Sequence, residues 1–156
     1  KYHPLGAKRE AYVRFIVHEL IPFIENEYSV LHLSKARALA GDSLGGTLSL
    51  LAAIEYPNIF GKVIIHSPYV DEKVLGTVKK SKNLHFLSIY HTIGLKETEV
   101  KLSDGTVSDF LTPNRELASL LKDAKTDYFY DEIDGEHTWK YWQKDLERAL
   151  IHFFSE

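Results

Sequence analysis

Cysteine and methionine are both absent from these 156 residues, proline occurs five times and tryptophan twice. Without cysteine there can be no disulfide framework, no thiolate zinc site and no cysteine nucleophile. The same absence points to a reducing compartment, and the chain is expected in the cytoplasm. No apolar run approaches the roughly 20 residues that cross a bilayer, and no signal-peptide core is visible, so no membrane partner is expected. Positive charge is not in excess either. Lys and Arg number 19 against 22 Asp and Glu, a net charge of −3, which gives no electrostatic footprint for nucleic acid. The local cluster Lys73, Lys79, Lys80 and Lys82 reads as the solvated face of a loop. Eight histidines contain no H-E-x-x-H or similar ligand spacing, and neither a metal nor another cofactor is expected.

What is present suits a globular domain of ordinary make-up, with 44% hydrophobic and 26% charged residues. Residues 9–27 place Tyr12, Phe15, Ile16, Leu20, Phe23 and Ile24 at helical spacing, with Pro22 expected to kink or break the helix near its end. Short apolar strands are expected at 36–40, 62–66, 84–90 and 127–132, and helices at 47–56 and 110–121. A last helix should bury Trp139, Trp142, Leu146, Ala149, Leu150 and Phe153. Residues 91–109 read as a long loop with room for a small hairpin. Alternating strands and helices imply a parallel sheet covered on both faces by helices. No repeat or internal boundary divides residues 1–156, so one domain is expected.

The chemistry concentrates at Gly41-Asp42-Ser43-Leu44-Gly45-Gly46, a G-x-S-x-G-G sequence between an expected strand and an expected helix. Serine at such a strand-to-helix turn projects its hydroxyl from the sheet, above a helix N-terminus. Glycines on either side let neighbouring backbone pass close. A serine hydroxyl needs a base, and the base an orienting carboxylate; on this kind of turn they follow in the order Ser, Asp or Glu, His. His137, in Asp134-Gly135-Glu136-His137-Thr138-Trp139, follows the fourth strand and is the expected base. His66 and His85 fall within or beside strands and read as packed or edge residues, His3, His18, His32 and His152 carry no partner pattern, and His91 alone could approach from a strand end. For the acid, Glu97 is the first carboxylate beyond the third strand, with Asp104, Asp109 and Asp71 as alternatives. The N–H of Leu44 is the expected oxyanion donor, while no strand is read ahead of the first helix to supply a second. Tyr69, Trp139 and Trp142 could line a pocket, although core packing is the commoner use of tryptophan.

The elbow, together with Tyr56-Pro57-Asn58-Ile59-Phe60-Gly61, Ser67-Pro68, Glu19-Leu20-Ile21-Pro22-Phe23-Ile24-Glu25 and Gly135-Glu136-His137-Thr138-Trp139, resembles the "putative esterase" branch of the α/β-hydrolases. That branch includes esterase D-like, enterobactin and feruloyl esterases, and the resemblance runs from Arg9 to Phe154. It implies an α/β-hydrolase fold and a serine carboxylesterase of small acyl esters. Ser43 would be nucleophile, His137 base and Glu97 acid, with acyl transfer or binding without catalysis as alternatives. It also implies strands ahead of the first helix. Since the chain opens on Lys1 rather than methionine, an N-terminally incomplete domain is expected.

Overall fold

The computed structural model describes residues 6–102 and 104–155, so His3 lies outside them. Residues 9–27 form one helical rod made of α1 (Arg9–Phe15), a π-helical turn (Ile16–Leu20) and α2 (Ile21–Glu27). The wide turn ends just ahead of Pro22, which lacks an N–H and whose ring would crowd the His18 carbonyl in a regular ladder. The extra residue in the turn absorbs the proline, and the helix runs on to Glu27. Then follow β1 (Ala38–Asp42), α3 (Leu44–Glu55), β2 (Lys62–His66), α4 (Glu72–Lys80), β3 (Ser88–Gly94), the short strands β4 (Val100–Lys101) and β5 (Val107–Ser108), α5 (Leu111–Asp123), β6 (Asp127–Ile133) and α6 (Trp139–Phe154).

Strands β1, β2, β3 and β6 form a parallel sheet in that order, and β4 and β5 pair as an antiparallel hairpin within the expected loop. All four parallel strands therefore end on the same rim, with β1 at one edge. Alternation along the strands sorts the core into two layers. Val63, Ile65 and Ile89 pack with Leu50, Ala53, Val74, Val78, Leu117 and Leu121 from α3, α4 and α5. Ile64 and Tyr90 face the other way, onto Ala149, Leu146 and Phe153 of α6.

Three expectations need correction. Lys73, Lys79 and Lys80 lie on a helix, α4, rather than a loop. Asp71 caps it by accepting from the N–H groups of Lys73 and Val74 at 3.0 and 2.9 Å, and Val74 and Val78 give it a buried i, i+4 pair. Residues 84–86 form a 3₁₀ turn, so the third strand starts at Ser88 and reaches Gly94. Trp139 and Leu150 are not core residues: Trp139 is 62% exposed because α6 begins at the sheet's rim, beyond the strands it covers.

Two buried histidines should make stability depend on pH with opposite signs. His91 is enclosed between the Tyr128 hydroxyl at Nδ1 (2.7 Å) and Asn114 Oδ1 at Nε2 (2.8 Å). Burial lowers its pKa from 6.5 to about 4. The native state thus favours neutral His91: its contribution is complete above the unfolded value of 6.5 and is lost as pH falls through about 4. The gap corresponds to about 3 kcal/mol. His66 is the reverse. Burial works to lower its pKa, but hydrogen bonds to Asp145 (Nε2–Oδ2, 3.1 Å) and Asp42 (Nδ1–Oδ1, 3.2 Å) outweigh that and raise it. Two carboxylates on the two ring nitrogens favour the form in which both donate, the imidazolium. Its contribution is present below 6.5 and fades as pH rises through the elevated native value. Thermal melts from pH 4 to 9 should fall at both ends, with His91→Gln flattening the acid limb and His66→Gln the alkaline one.

Candidate active site

Ser43 links β1 to α3 with φ 52° and ψ −125°, a conformation that costs a non-glycine residue about 1–3 kcal/mol. The surroundings hold it there. Its N–H donates to the His66 carbonyl at 2.9 Å, and its own carbonyl accepts from the N–H groups of Thr47 and Tyr69, both at 3.1 Å. Gly41 is required by close approach, since a Cβ there would lie 2.3 Å from the Gly45 carbonyl oxygen and 2.8 Å from the Gly46 nitrogen. The last glycine is also tight, with Gly41 oxygen at 3.0 Å and Pro68 Cβ at 3.3 Å. Gly45 differs from the expectation: a Cβ there meets nothing within 4 Å. Gly41→Ala should therefore cost several kcal/mol or prevent folding, in line with overpacking against backbone. Gly45→Ala should be neutral or stabilise by up to about 1 kcal/mol through helix propensity; urea titration of the two variants checks the contrast.

The acid and base loops are brought together by the β3–β6 pairing. Beyond Gly94↔Ile133 the chains stay joined, Leu95 N–H donating to Ile133 at 2.9 Å and Lys96 N–H to Gly135 at 3.1 Å. Any Cβ on Gly94 would come within 2.4 Å of the Gly135 carbonyl and 2.6 Å of Glu97 Oε1. This contact sets the Glu97 loop against the His137 loop. Glu97 Oε2 lies 2.6 Å from His137 Nδ1, and His137 Nε2 lies 3.0 Å from Ser43 Oγ. With a carboxylate on Nδ1, that nitrogen carries the proton, which leaves the Nε2 lone pair for the Ser43 hydroxyl. Glu97 is 1% exposed and His137's side chain 16%, so the carboxylate is sealed while the imidazole keeps an open edge. Two rings flank that imidazole, Phe110 with its centroid at 4.4 Å and Trp142 at 4.9 Å, perpendicular to it.

The alternative acids lie elsewhere. Asp71 caps α4, Asp104 accepts from the N–H and hydroxyl of Thr106, and Asp109 accepts from the Thr112 N–H. His91 bonds to Tyr128 and Asn114, away from Ser43. Leu44 is the first residue of α3, where helix geometry gives its N–H no intrahelical acceptor. Tyr69 is tied by its backbone to Ser43 and Thr47, with its ring edge-on to Phe110 at 6.0 Å. Trp139 stands one ring further out, 6.2 Å from Trp142. Ser67 joins the site without being among the expected residues: its hydroxyl donates to Glu97 Oε1 at 2.5 Å and accepts from Trp142 Nε1 at 3.1 Å. Its place at the carboxyl end of β2 was the available signal. Nothing in the spacing marked Phe110.

Residues 1–153 match the family described as "Putative esterase". Among curated proteins, the chain is 52% identical over 149 residues to "Uncharacterized protein YjcH" of Bacillus subtilis (strain 168), covering 96% of this chain and 62% of that protein. It is 24% identical over 169 residues to an acetyl esterase of Caldicellulosiruptor saccharolyticus, covering 92% of this chain and 64% of the relative. The chain thus spans less than two thirds of the length of either. Of solved structures, the enterochelin esterase of Shigella flexneri superposes over 97% of this chain and 38% of its own, with a TM-score of 0.80 and 21% identity. A ferulic acid esterase of Anaeromyces mucronatus gives a TM-score of 0.70 at 14% identity, over 97% and 58%. At such identities the likeness is one of fold, the α/β-hydrolase fold that these esterases share.

Proposed function

Because the chain belongs to the "Putative esterase" family, we propose that it is a serine carboxylesterase of small acyl esters, working through an acyl-enzyme. One observation carries the reading: an unbroken line of hydrogen bonds from Glu97 through His137 to a serine held on a strained turn. The Ser43 oxygen attacks the ester carbonyl while its proton passes to His137 Nε2, and the imidazolium formed is stabilised by Glu97 at Nδ1. Negative charge developing on the carbonyl oxygen falls near the N-terminus of α3, where the Leu44 N–H donates to it and the helix dipole favours it. Collapse expels the alkoxide, which takes the proton from Nε2. Water then attacks the acyl-serine by the same route in reverse, releasing the acid and restoring Ser43.

The open edge of His137 is flanked by Phe110 and Trp142, with Tyr69 and Trp139 beyond them, and we assign Tyr69 and Trp139 to the wall that meets the substrate. A relative's name, acetyl esterase, supports a short acyl group. p-Nitrophenyl acetate tests the reading. The expected result is a burst of one nitrophenolate per active site followed by steady hydrolysis. No release above the buffer rate would refute it. Adding an acceptor alcohol separates hydrolysis from transfer, and acetate as the dominant product is expected.

A further inference from the structure

Glu97 is held by more than the base it serves. Its Oε2 faces His137, while Oε1 takes two donors, the Gly94 N–H at 2.9 Å and the Ser67 hydroxyl at 2.5 Å. A serine hydroxyl has one proton, and what surrounds Ser67 decides where it goes. Trp142 Nε1, 3.1 Å away, is a donor only, so Ser67 Oγ must accept from it. The hydroxyl proton is thereby committed to Glu97. Both groups are inside the protein: Ser67 is 2% exposed and Glu97 1%, so water is not at hand to replace a lost donor.

The backbone at Ser67 adds a second, independent observation. Its φ is 44°, in the region that favours glycine, and its N–H is fixed to the Thr92 carbonyl at 2.7 Å. Glycine would take this conformation without strain. Serine there delivers a hydroxyl to Glu97, the carboxylate that faces His137. Trp142, the fourth residue of α6, also sets its ring edge-on to His137. One side chain therefore touches the base directly and the acid through Ser67.

We propose that Ser67 and Trp142 are positioning residues for ester cleavage: Trp142 orients the Ser67 hydroxyl, which pins Oε1 of Glu97 so that Oε2 stays aligned with His137. The proposal rests on the reading of Ser43, His137 and Glu97 as the reacting set. In this role neither residue exchanges a proton with substrate; both act through Glu97. Losing the hydroxyl leaves Oε1 on the Gly94 N–H alone, about which the carboxylate can pivot.

Ser67→Gly separates this role from a structural one, because it removes the hydroxyl while relieving the backbone. In the protein expressed from its whole gene, Ser67→Gly should stay folded, backbone relief offsetting part of the cost of the unpaired Trp142 N–H and Glu97 oxygen, yet lose roughly 10- to 100-fold in kcat on p-nitrophenyl acetate, the worth of one hydrogen bond to a charged group. KM should stay within about twofold, since ground-state binding is untouched. Trp142→Phe keeps the ring beside His137 and should cost roughly three- to tenfold, but nothing further in the Ser67→Gly background, because both act through one bond. The downfield proton resonance of the His137 Nδ1–H···Glu97 bond should shift or broaden in both variants. A Ser67→Gly protein with wild-type kcat and an unmoved resonance would overturn the proposal, as would losses that multiply in the double variant. Wild-type protein without turnover would refute the esterase reading instead, and the resonance would still decide whether Ser67 positions Glu97.

Discussion

Ser43→Ala should lower kcat for a small acyl ester on the order of 10⁶-fold, the scale on which removing a serine nucleophile abolishes acyl-enzyme chemistry. The hydroxyl that faces His137 Nε2 is that of Ser43, at 3.0 Å. The fold should survive, since alanine occupies the same backbone and loses only a hydroxyl whose hydrogen bond is to His137. Ser43→Gly sharpens this expectation. It relieves a φ of 52° and should melt at or above wild type while being equally inactive, the mark of strain retained for function. A Ser43→Ala protein that keeps a tenth of the activity would require a different nucleophile.

Glu97→Gln has the second largest expected effect, about 10⁴-fold in kcat, for a reason rooted in tautomers. The carboxylate accepts from His137 Nδ1 at 2.6 Å and so leaves Nε2 unprotonated toward Ser43. A glutamine can turn its amide nitrogen to that position and donate, which would place the imidazole proton on Nε2. The ring would then face the serine with a donor, where a base is needed. Asp104→Asn, Asp109→Asn and Asp71→Asn should each change kcat less than about twofold, because those carboxylates serve their own turns. Steady-state kinetics on the four variants decide the matter. Loss confined to Asp109→Asn or Asp104→Asn would move the acid, and a Glu97→Gln enzyme within tenfold of wild type would mean that a serine–histidine pair suffices.

Much of this arrangement could be read from local pattern, and what could not has a common cause. The elbow is written in six consecutive residues, strand-end position and chain order point to His137, and the same signals put Glu97 first among four candidate carboxylates without excluding the others. Helix α4 is masked in the sequence by its lysine cluster, and its two quieter signals are the Asp71 cap and the Val74–Val78 pair. Trp139 was misjudged because helical periodicity says which face turns inward but not where the sheet beneath it ends. The polar network was hidden more deeply. Ser67, Glu97 and Trp142 come from three separate elements, and His66 meets Asp42 and Asp145, residues 24 and 79 positions away. Such contacts are fixed by sheet register and helix docking, and no spacing within one segment encodes them. Gly94 shows the same limit. Its need for hydrogen in place of a side chain comes from Gly135, across the β3–β6 pair.

The most direct test is covalent labelling of the protein from its whole gene with a fluorophosphonate, followed by peptide mass mapping. Stoichiometric modification confined to Ser43, lost in Ser43→Ala and His137→Ala, is the predicted result. Hydrolysis of p-nitrophenyl acetate that proceeds while Ser43 stays unmodified, or a label carried by another residue, would contradict it.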